Sequence, residues 1–276
     1  MKFALQIYGQ LRTFEKTLPT LLNFIDYYNN DYDVFLFIDP NESDNKCEGL
    51  LHDKCPVSNY SEENIIKLKK ILIEDRIKIL KYTTEMSADE ISYDTKQSND
   101  MVNLWRKYNS KYGNIVLSYF AASLAYRKYL LNNIRINYEN LNNIKYDYIV
   151  HTRFDFGTTY KNKYTINETT TPVLFSDCIA IGNTEFINKN AEIGLYYPVT
   201  PKILFDENCN LIHEKINKYE NFRGDKFWEK HWIFMPELNQ RLYLLENSYN
   251  YIDAWWETPC NYGFTTFTME DAFLLL

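Results

Sequence analysis

The chain has 276 residues and a formal net charge of −7, and hydrophobic residues make up 45% of it. This length is enough for one large α/β domain with a substantial buried core. The acidic balance argues against a nucleic-acid partner, which needs a concentrated basic surface, and no apolar stretch is long enough to predict a transmembrane segment.

The first half of the chain alternates predicted strands with predicted helices. Apolar runs at 2–8 and 33–38 predict buried strands, and helical patterns follow both of them. Residues 76–82 predict a third strand, and residues 113–136 have the periodicity of a long helix that precedes a strand at 146–150. The order β-α-β-α-β-α-β is typical of a mostly parallel sheet with helices on both faces.

Shorter elements are predicted in the second half. Residues 172–177 and 178–181 have the composition of two short strands, and residues 182–185 begin a helix. Pro236 and Glu237 begin a further helix, with proline at the first helical position.

The cysteine content indicates a reducing compartment. Five cysteines are present, an odd number, and no Cys-x-x-Cys pair occurs. This usage favours free thiols and argues against a zinc site. The amino-terminal segment does not resemble a signal peptide, because Gln6, Gln10 and Arg12 interrupt its apolar run. We therefore expect a cytoplasmic protein.

Polar residues follow three of the predicted strands at their carboxyl ends. Because the carboxyl ends of parallel strands meet at one edge, and ligands of such sheets bind beyond that edge, the sequence predicts a ligand site there. The residues are Tyr8, Gly9, Gln10 and Arg12 after the first strand, Asp39 after the second, and His151, Arg153 and Asp155 after the strand at 146–150.

Four parts of the chain share the pattern of a known family. They are ALQIYGQLRTFEKT with YDVFLFID, NIVLSYFAASLAYRKYLL before YDYIVHTRFD, FSDCIAIGNTEFI, and MPELNQRLYLLE. Together they resemble nucleotide-sugar-dependent glycosyltransferases of the GT-A fold, of the polysaccharide-synthesis type found in bacteria and giant viruses. The resemblance implies a Rossmann-like, mostly parallel sheet in one domain over 1–276, with a nucleotide-sugar-binding half at 1–157 and a smaller acceptor-side half at 158–276.

The resemblance also implies an activity. We expect a hexosyl- or N-acetylhexosaminyltransferase that uses a nucleotide-sugar donor, most often a UDP-sugar, and a glycan or glycoconjugate acceptor. Members of this family usually bind Mn²⁺ or Mg²⁺ at an Asp-x-Asp motif. Here Arg153 replaces the first Asp and leaves Asp155 alone, so metal dependence is an open point. A homo-oligomer is compatible with the sequence, and a viral member would act in the host cytoplasm or the virion.

The donor-side candidates each have a structural alternative. Asp155 is the expected metal or diphosphate ligand, or else an Asp that forms a turn after a strand. Arg153 is expected to contact phosphate, or else to form a salt bridge that fixes the strand end. Arg127 either points toward the donor or extends its charge to solvent. Tyr8 either stacks on the base or lies in the core. Arg12 either contacts phosphate or the base or is a solvated residue of the first helical turn, and Asp39 either binds the ribose or base or is a turn Asp before proline. The remaining donor-side candidates are Gly9 and Gln10.

The catalytic candidates lie in the second half. Asp177 ends a predicted strand and can face the acceptor. Glu237 begins a helix where inverting GT-A enzymes often carry their base, although a first-turn acid favoured by the helix dipole is the simpler explanation. Glu229 and His231 are rivals for that base, and His231 or His213 is the candidate for a second metal ligand.

Other function classes stay open. A catalytically inactive carbohydrate- or protein-binding module would keep the fold without the first Asp of the metal motif. A sugar-phosphate nucleotidyltransferase would need a Gly-rich phosphate loop after the first strand, where YGQLRTF has a single glycine. A Rossmann oxidoreductase is disfavoured because no Gly-x-Gly-x-x-Gly occurs.

Overall fold

The chain is an α/β protein. A computed structural model describes residues 2–11, 13–25, 31–40, 60–82, 107, 119–158, 172–175, 179–196, 203, 206–208, 210, 236–249, 251–253 and 265–267. The elements in chain order are β1 (Phe3–Gly9), α1 (Phe14–Phe24), β2 (Tyr32–Ile38), α2 (Glu62–Leu72), β3 (Ile77–Tyr82), α3 (Tyr119–Asn142), β4 (Tyr148–Arg153), β5 (Phe156–Thr158), β6 (Val173–Phe175), β7 (Ile179–Asn183), α4 (Thr184–Tyr196), α5 (Pro236–Glu246), β8 (Ile252–Asp253) and β9 (Thr265–Phe267). The predicted alternation of strands and helices in the first half is confirmed.

The sheet is mixed but mostly parallel. Its strand order is β3-β2-β1-β4-β7-β6-β8. β1 pairs in parallel with β2 and β4, β2 with β3, and β6 with β8. Among the described strands of this sheet, β7 runs antiparallel to both of its neighbours, β4 and β6. Three residues join β6 to β7, and parallel strands need a longer crossover. β5 and β9 form a separate parallel pair.

The helix ends follow local capping chemistry. Ser61 caps α2, and its Oγ accepts the backbone N–H of Asn64 at 3.1 Å. α3 ends at Asn142, beyond the predicted end near residue 136, where Asn143 adopts a left-handed φ of 51° and Ile144 N–H bonds to Glu139 O. The apolar periodicity of the sequence does not predict the last turn of α3, because polar contacts stabilise that turn. Within the described ranges, no helix has the length and apolar character needed to cross a membrane.

The chain divides into two compact units. The first unit comprises Met1–Glu85, Leu130–Asn188 and Asn250–Leu276, and the second comprises Met86–Tyr129 and Lys189–Tyr249. All the strands belong to the first unit. The predicted division of the chain into halves at residue 157 stays a prediction.

One face of the sheet, called the apolar face below, packs against α1 and α2. Alternate residues of β1, β2 and β4 enter this core, as the period of a strand requires. From α1, Phe14, Leu18 and Leu21 join it at i, i+4 and i+7, which lie on one side of a helix. The strand residues in this core are Phe3, Leu5, Ile7, Tyr32, Val34, Leu36, Ile38, Tyr148 and Val150.

In the second unit, α3 and α4 cross closely at Gly194. A Cβ atom on Gly194 would lie 2.5 Å from the Ala125 carbonyl oxygen and 3.0 Å from the Tyr126 Cα. Those atoms are backbone, so only glycine permits this approach. A buried polar chain links the helices of this unit, with Lys128 Nζ donating to Gln240 Oε1 at 3.2 Å and Gln240 Nε2 donating to Asn190.

Candidate functional site

The carboxyl ends of β1, β2 and β4 lie together at one edge of the sheet in the first unit. The strand register pairs Tyr8 with Arg153 and Gly9 with Ile38. The Asp39 backbone N–H extends this pairing and donates to Gly9 O at 3.0 Å. The three segments that the sequence predicts to converge are therefore adjacent, and we call this edge with residues 8–10, 39 and 153–155 the carboxyl edge.

Gly9 gives the carboxyl edge an unusual backbone conformation. Its φ is +106°, a conformation that side chains other than hydrogen disfavour. A Cβ built on Gly9 would meet no described atom within 4 Å, so packing is not the reason for glycine here. The backbone conformation is the reason for glycine at this position, which is itself buried at the end of β1.

The side chains beside Gly9 differ in their access to solvent. Tyr8 is fully buried and its ring meets the His151 ring edge-on, with centroids 5.1 Å apart. The core alternative for Tyr8 is therefore the one present in this conformation, because the ring has no exposed surface. Asp39 is buried at the end of β2, whereas Gln10 is partly exposed.

Arg153 and Asp155 form a two-bond ion pair with each other. Arg153 Nε donates to Asp155 Oδ1 at 2.8 Å, and Nη2 donates to Oδ2 at 2.6 Å. The side chains are 18% and 17% exposed, so the pair reaches the surface without being fully solvated. Such parallel bonds fix a guanidinium in one orientation. The salt-bridge alternative for Arg153 is thus present, with Asp155 itself as the partner.

Helix α1 holds the turn that carries this pair. The Thr17 hydroxyl donates to the Phe154 carbonyl oxygen at 2.6 Å, and the Phe154 ring is fully buried in the core. A Cβ on Gly157 would lie 2.9 Å from Thr20 Oγ1 and 3.1 Å from the Thr17 Cα, so the chain passes directly against α1. We did not predict Thr17 from the sequence, although a threonine between the core positions Phe14 and Leu18 is a signal for a buried hydroxyl role.

The face of the sheet opposite the apolar core, called the polar face below, carries a buried hydrogen-bond network. Arg135 is fully buried in α3, pairs with Glu139, and donates to Asn132 Oδ1 at 3.0 Å and to Asn188 Oδ1. Burial lowers the pKa of Arg135, and the Glu139 carboxylate opposes that shift. Gln6 Nε2 donates to Asn132 Oδ1 at 3.5 Å, while its Oε1 has no hydrogen-bond partner among the described residues.

A second polar cluster lies near the amino ends of the strands, away from the carboxyl edge. The Tyr146 hydroxyl donates to Asp33 Oδ2 at 2.5 Å. Lys2 and Lys78 place their ammonium groups 3.2 Å and 3.4 Å from the same carboxylate. Burial, followed by the hydrogen bond to Asp33, raises the pKa of Tyr146 well above its usual range. This cluster joins β2 and β3 to the segment that leads into β4.

The other predicted site residues fall into two groups. Glu237 lies in the first turn of α5, but its side chain is outside the described set. Arg127 is 3% exposed in the second unit, so the alternative of a solvent-directed arginine is wrong. The candidates that lie outside the described residues are Arg12, Asp177, His213, Glu229 and His231.

Asp155 and its described surroundings do not fit a divalent-cation site. Mg²⁺ and similar ions require several oxygen ligands, whereas both Asp155 oxygens accept N–H groups from a cation. The described ranges contain no cluster of three His, Cys, Asp or Glu side chains suited to a metal. His231 lies outside those ranges. The Mn²⁺ or Mg²⁺ ion stays a prediction.

Comparison with known proteins adds no family assignment. No family model matches the chain, and no curated protein matches it. A functional hypothesis therefore depends on the geometry of the carboxyl edge.

Proposed function

We propose that the protein is a GT-A-type glycosyltransferase. It would take a sugar from a nucleotide-sugar donor, with a UDP-sugar as the expected donor, and transfer it to a glycan or glycoconjugate. The observation that carries this proposal is the meeting of Gly9, Asp39 and the Arg153–Asp155 pair at the carboxyl edge. In open α/β sheets this edge is where nucleotides bind, and the same segments carry the family resemblance.

The residues of the carboxyl edge suit the parts of a nucleotide sugar. Gly9 and the Asp39 side chain are buried at this edge, and the Asp39 carboxylate suits the hydroxyls of a ribose or an N–H of the base only where donor binding exposes it. Arg153 carries the fixed guanidinium that a diphosphate oxygen prefers. Arg153 would hold the diphosphate in place, and holding the donor in a reactive position lowers the barrier to transfer.

The transfer itself exchanges one bond for another. The bond between the anomeric carbon and the diphosphate oxygen breaks, and its electron pair leaves with the diphosphate. The acceptor oxygen forms the new bond through a transition state with oxocarbenium character. The acceptor proton passes to a carboxylate, for which Glu237 and Asp177 are the predicted candidates.

A second candidate function is a catalytically inactive module that binds a carbohydrate or a protein. The mutual pairing of Arg153 and Asp155 favours it, because the pair carries no net charge and offers one carboxylate where the family usually has two. Ligand binding without turnover would separate this function from the enzyme.

A donor panel tests the proposal. UDP-, GDP-, CMP- and dTDP-sugars are added to the protein with Mn²⁺ or with EDTA, and the melting temperature and free sugar release are measured. We expect one donor to raise the melting temperature, since a ligand at a hundred times its Kd adds about 2.7 kcal/mol of stability. The same donor should be hydrolysed slowly.

Matched variants locate the effect. Asp155→Ala should reduce both stabilisation and hydrolysis, while Glu74→Ala, which removes an exposed ion-pair partner of Lys69, should change neither. Stabilisation without hydrolysis would support the binding module. If no nucleotide sugar changes the melting temperature under either condition, the transferase proposal is wrong.

A further inference from the structure

We infer that Arg153, rather than a divalent cation, contacts the diphosphate of the donor, and that Asp155 and Thr17 are positioning residues for Arg153. This inference rests on the proposed function and changes the role that the family resemblance gives to Asp155. It is drawn from the contacts of the segment 153–157 with itself and with α1.

The geometry of Asp155 is that of a partner for arginine. Its two oxygens accept from Nε and Nη2 of the same guanidinium, at 2.8 Å and 2.6 Å. A divalent ion on this carboxylate would have to approach a fixed positive charge within a few ångströms, which Coulomb repulsion disfavours. The carboxylate therefore orients the guanidinium instead of binding a metal.

Arg153 has the chemistry for the role that the ion would otherwise have. A guanidinium is a cation that presents five N–H donors. Its charge persists at every physiological pH, and its planar fork matches phosphate oxygens. The Arg153 side chain is 18% exposed at the carboxyl edge, so it reaches the surface where a nucleotide would lie.

The backbone below Arg153 is held on two sides. β4 pairs with β1 up to the match of Arg153 with Tyr8, and Phe154 is anchored in the apolar core. The Thr17 hydroxyl then binds the Phe154 carbonyl oxygen at 2.6 Å. A side chain on a rigid base loses little entropy on binding, which raises its affinity for a ligand. Thr17 would thus act on the ligand through Arg153, without touching it.

The test measures the affinity of nucleoside diphosphates by titration calorimetry, with EDTA and then with Mn²⁺. UDP, GDP and dTDP are the probes. We expect one of them to bind with the same Kd under both conditions, to within about twofold. Arg153→Gln should weaken that binding about tenfold or more, because charge-assisted hydrogen bonds are lost. Lys69→Gln, a change at an exposed ion pair, is the matched control and should leave the Kd unchanged.

The positioning residues have separate readouts. Asp155→Asn should weaken nucleotide binding less than Arg153→Gln does, and binding should stay independent of Mn²⁺. Thr17→Val removes the hydroxyl at nearly constant volume and should weaken binding, whereas Thr17→Ser should restore it. Circular dichroism confirms that each variant is folded, and Arg153→Lys, which keeps the charge but loses the fork, provides a second test at that position.

Three outcomes would overturn the inference in distinguishable ways. Binding that requires Mn²⁺ and disappears in Asp155→Asn would make Asp155 a metal ligand, with the proposed function intact. If Thr17→Val and Thr17→Ser change the Kd equally, the Thr17 hydroxyl does not position Arg153. If none of the nucleoside diphosphates binds under either condition, both the inference and the proposed donor class are wrong.

Discussion

The two faces of the sheet in the first unit both bury apolar side chains, but the polar face, which buries Phe35 and Ile149, adds an ionic hydrogen-bond network. The apolar face packs Leu5, Ile7 and Leu36 against α1 and α2, and these side chains are fully buried. The polar face covers Gln6 with the Asn132 and Arg135 network of α3. Apolar burial is roughly proportional to area and tolerates small shifts. A buried polar network stabilises only when each group meets its partner.

This difference separates stability from positioning. A fully buried aliphatic side chain on the apolar face contributes about 1.5–3 kcal/mol. The buried ion pair on the polar face adds little net stability, because desolvation offsets attraction, yet it is costly to break. The apolar face therefore supports the fold, and the polar face fixes how α3 lies on the strands that end at the carboxyl edge.

Arg135→Met should have the largest effect on stability. It leaves the Glu139 carboxylate buried without its cation, and the loss should be about 3–5 kcal/mol in the free energy of unfolding. The double variant Arg135→Met with Glu139→Leu should lose clearly less, since no charge is stranded. Chemical denaturation measures both. If Arg135→Met lowers the free energy of unfolding no more than the double variant does, a stranded Glu139 carboxylate is not the cause of the loss.

Leu36→Ala tests the apolar face and should lower the free energy of unfolding by about 3 kcal/mol. It truncates a fully buried side chain on β2, the strand that lies between β1 and β3. Ile66→Ala on α2 is the matched control, since Ile66 is largely exposed, and its effect should stay within about 0.5 kcal/mol. Denaturant midpoints give both values. Equal losses in the two variants would contradict the assignment of this core.

Gly9→Ala tests the carboxyl edge and should lower the free energy of unfolding by about 2 kcal/mol. The added methyl group has space, so the penalty comes only from the φ of +106°. Asn143→Gly, at the other left-handed position discussed, should change the free energy of unfolding by less than about 0.5 kcal/mol or raise it. A neutral Gly9→Ala variant would show that this backbone conformation is not required.

The smallest effect is a dependence on alkaline pH at Tyr146. Its folded pKa is raised, so above about pH 10 the unfolded chain binds fewer protons than the folded chain and stability falls as the pH rises. Between pH 9 and pH 11 the ionisation of Tyr146 should lower the free energy of unfolding by about 1 kcal/mol. Tyr146→Phe should have a shallower decline over that range, measured by urea denaturation. Parallel declines in the two proteins would exclude Tyr146 as the cause.

Local pattern was sufficient to predict β1, β2 and β4 and their common edge. The apolar runs of β1, β2 and β4 each end in polar residues, and parallel pairing brings those ends together. The Arg135–Glu139 pair is also visible in the sequence as an i, i+4 pair on a helix.

Contacts between distant parts of the chain could not be predicted. Thr17 and Phe154 are 137 positions apart, and no local pattern links a helix hydroxyl to a turn carbonyl. The pairing of Arg153 with Asp155 depends on the turn at Phe154, so the sequence left their roles open. The ring of Tyr8 is fully buried because the polar face is covered. The composition of the strand alone does not reveal that cover.

Hydrogen exchange with mass spectrometry, with and without the nucleotide sugar that raises the melting temperature most, is the most direct test of the carboxyl edge as the donor site. The account predicts slower amide exchange at residues 8–11 and 153–157 when the nucleotide sugar binds, and no change at the amino-end cluster of Lys2, Asp33 and Tyr146. Protection confined to other segments, with residues 8–11 and 153–157 unchanged, would contradict the assignment of the site.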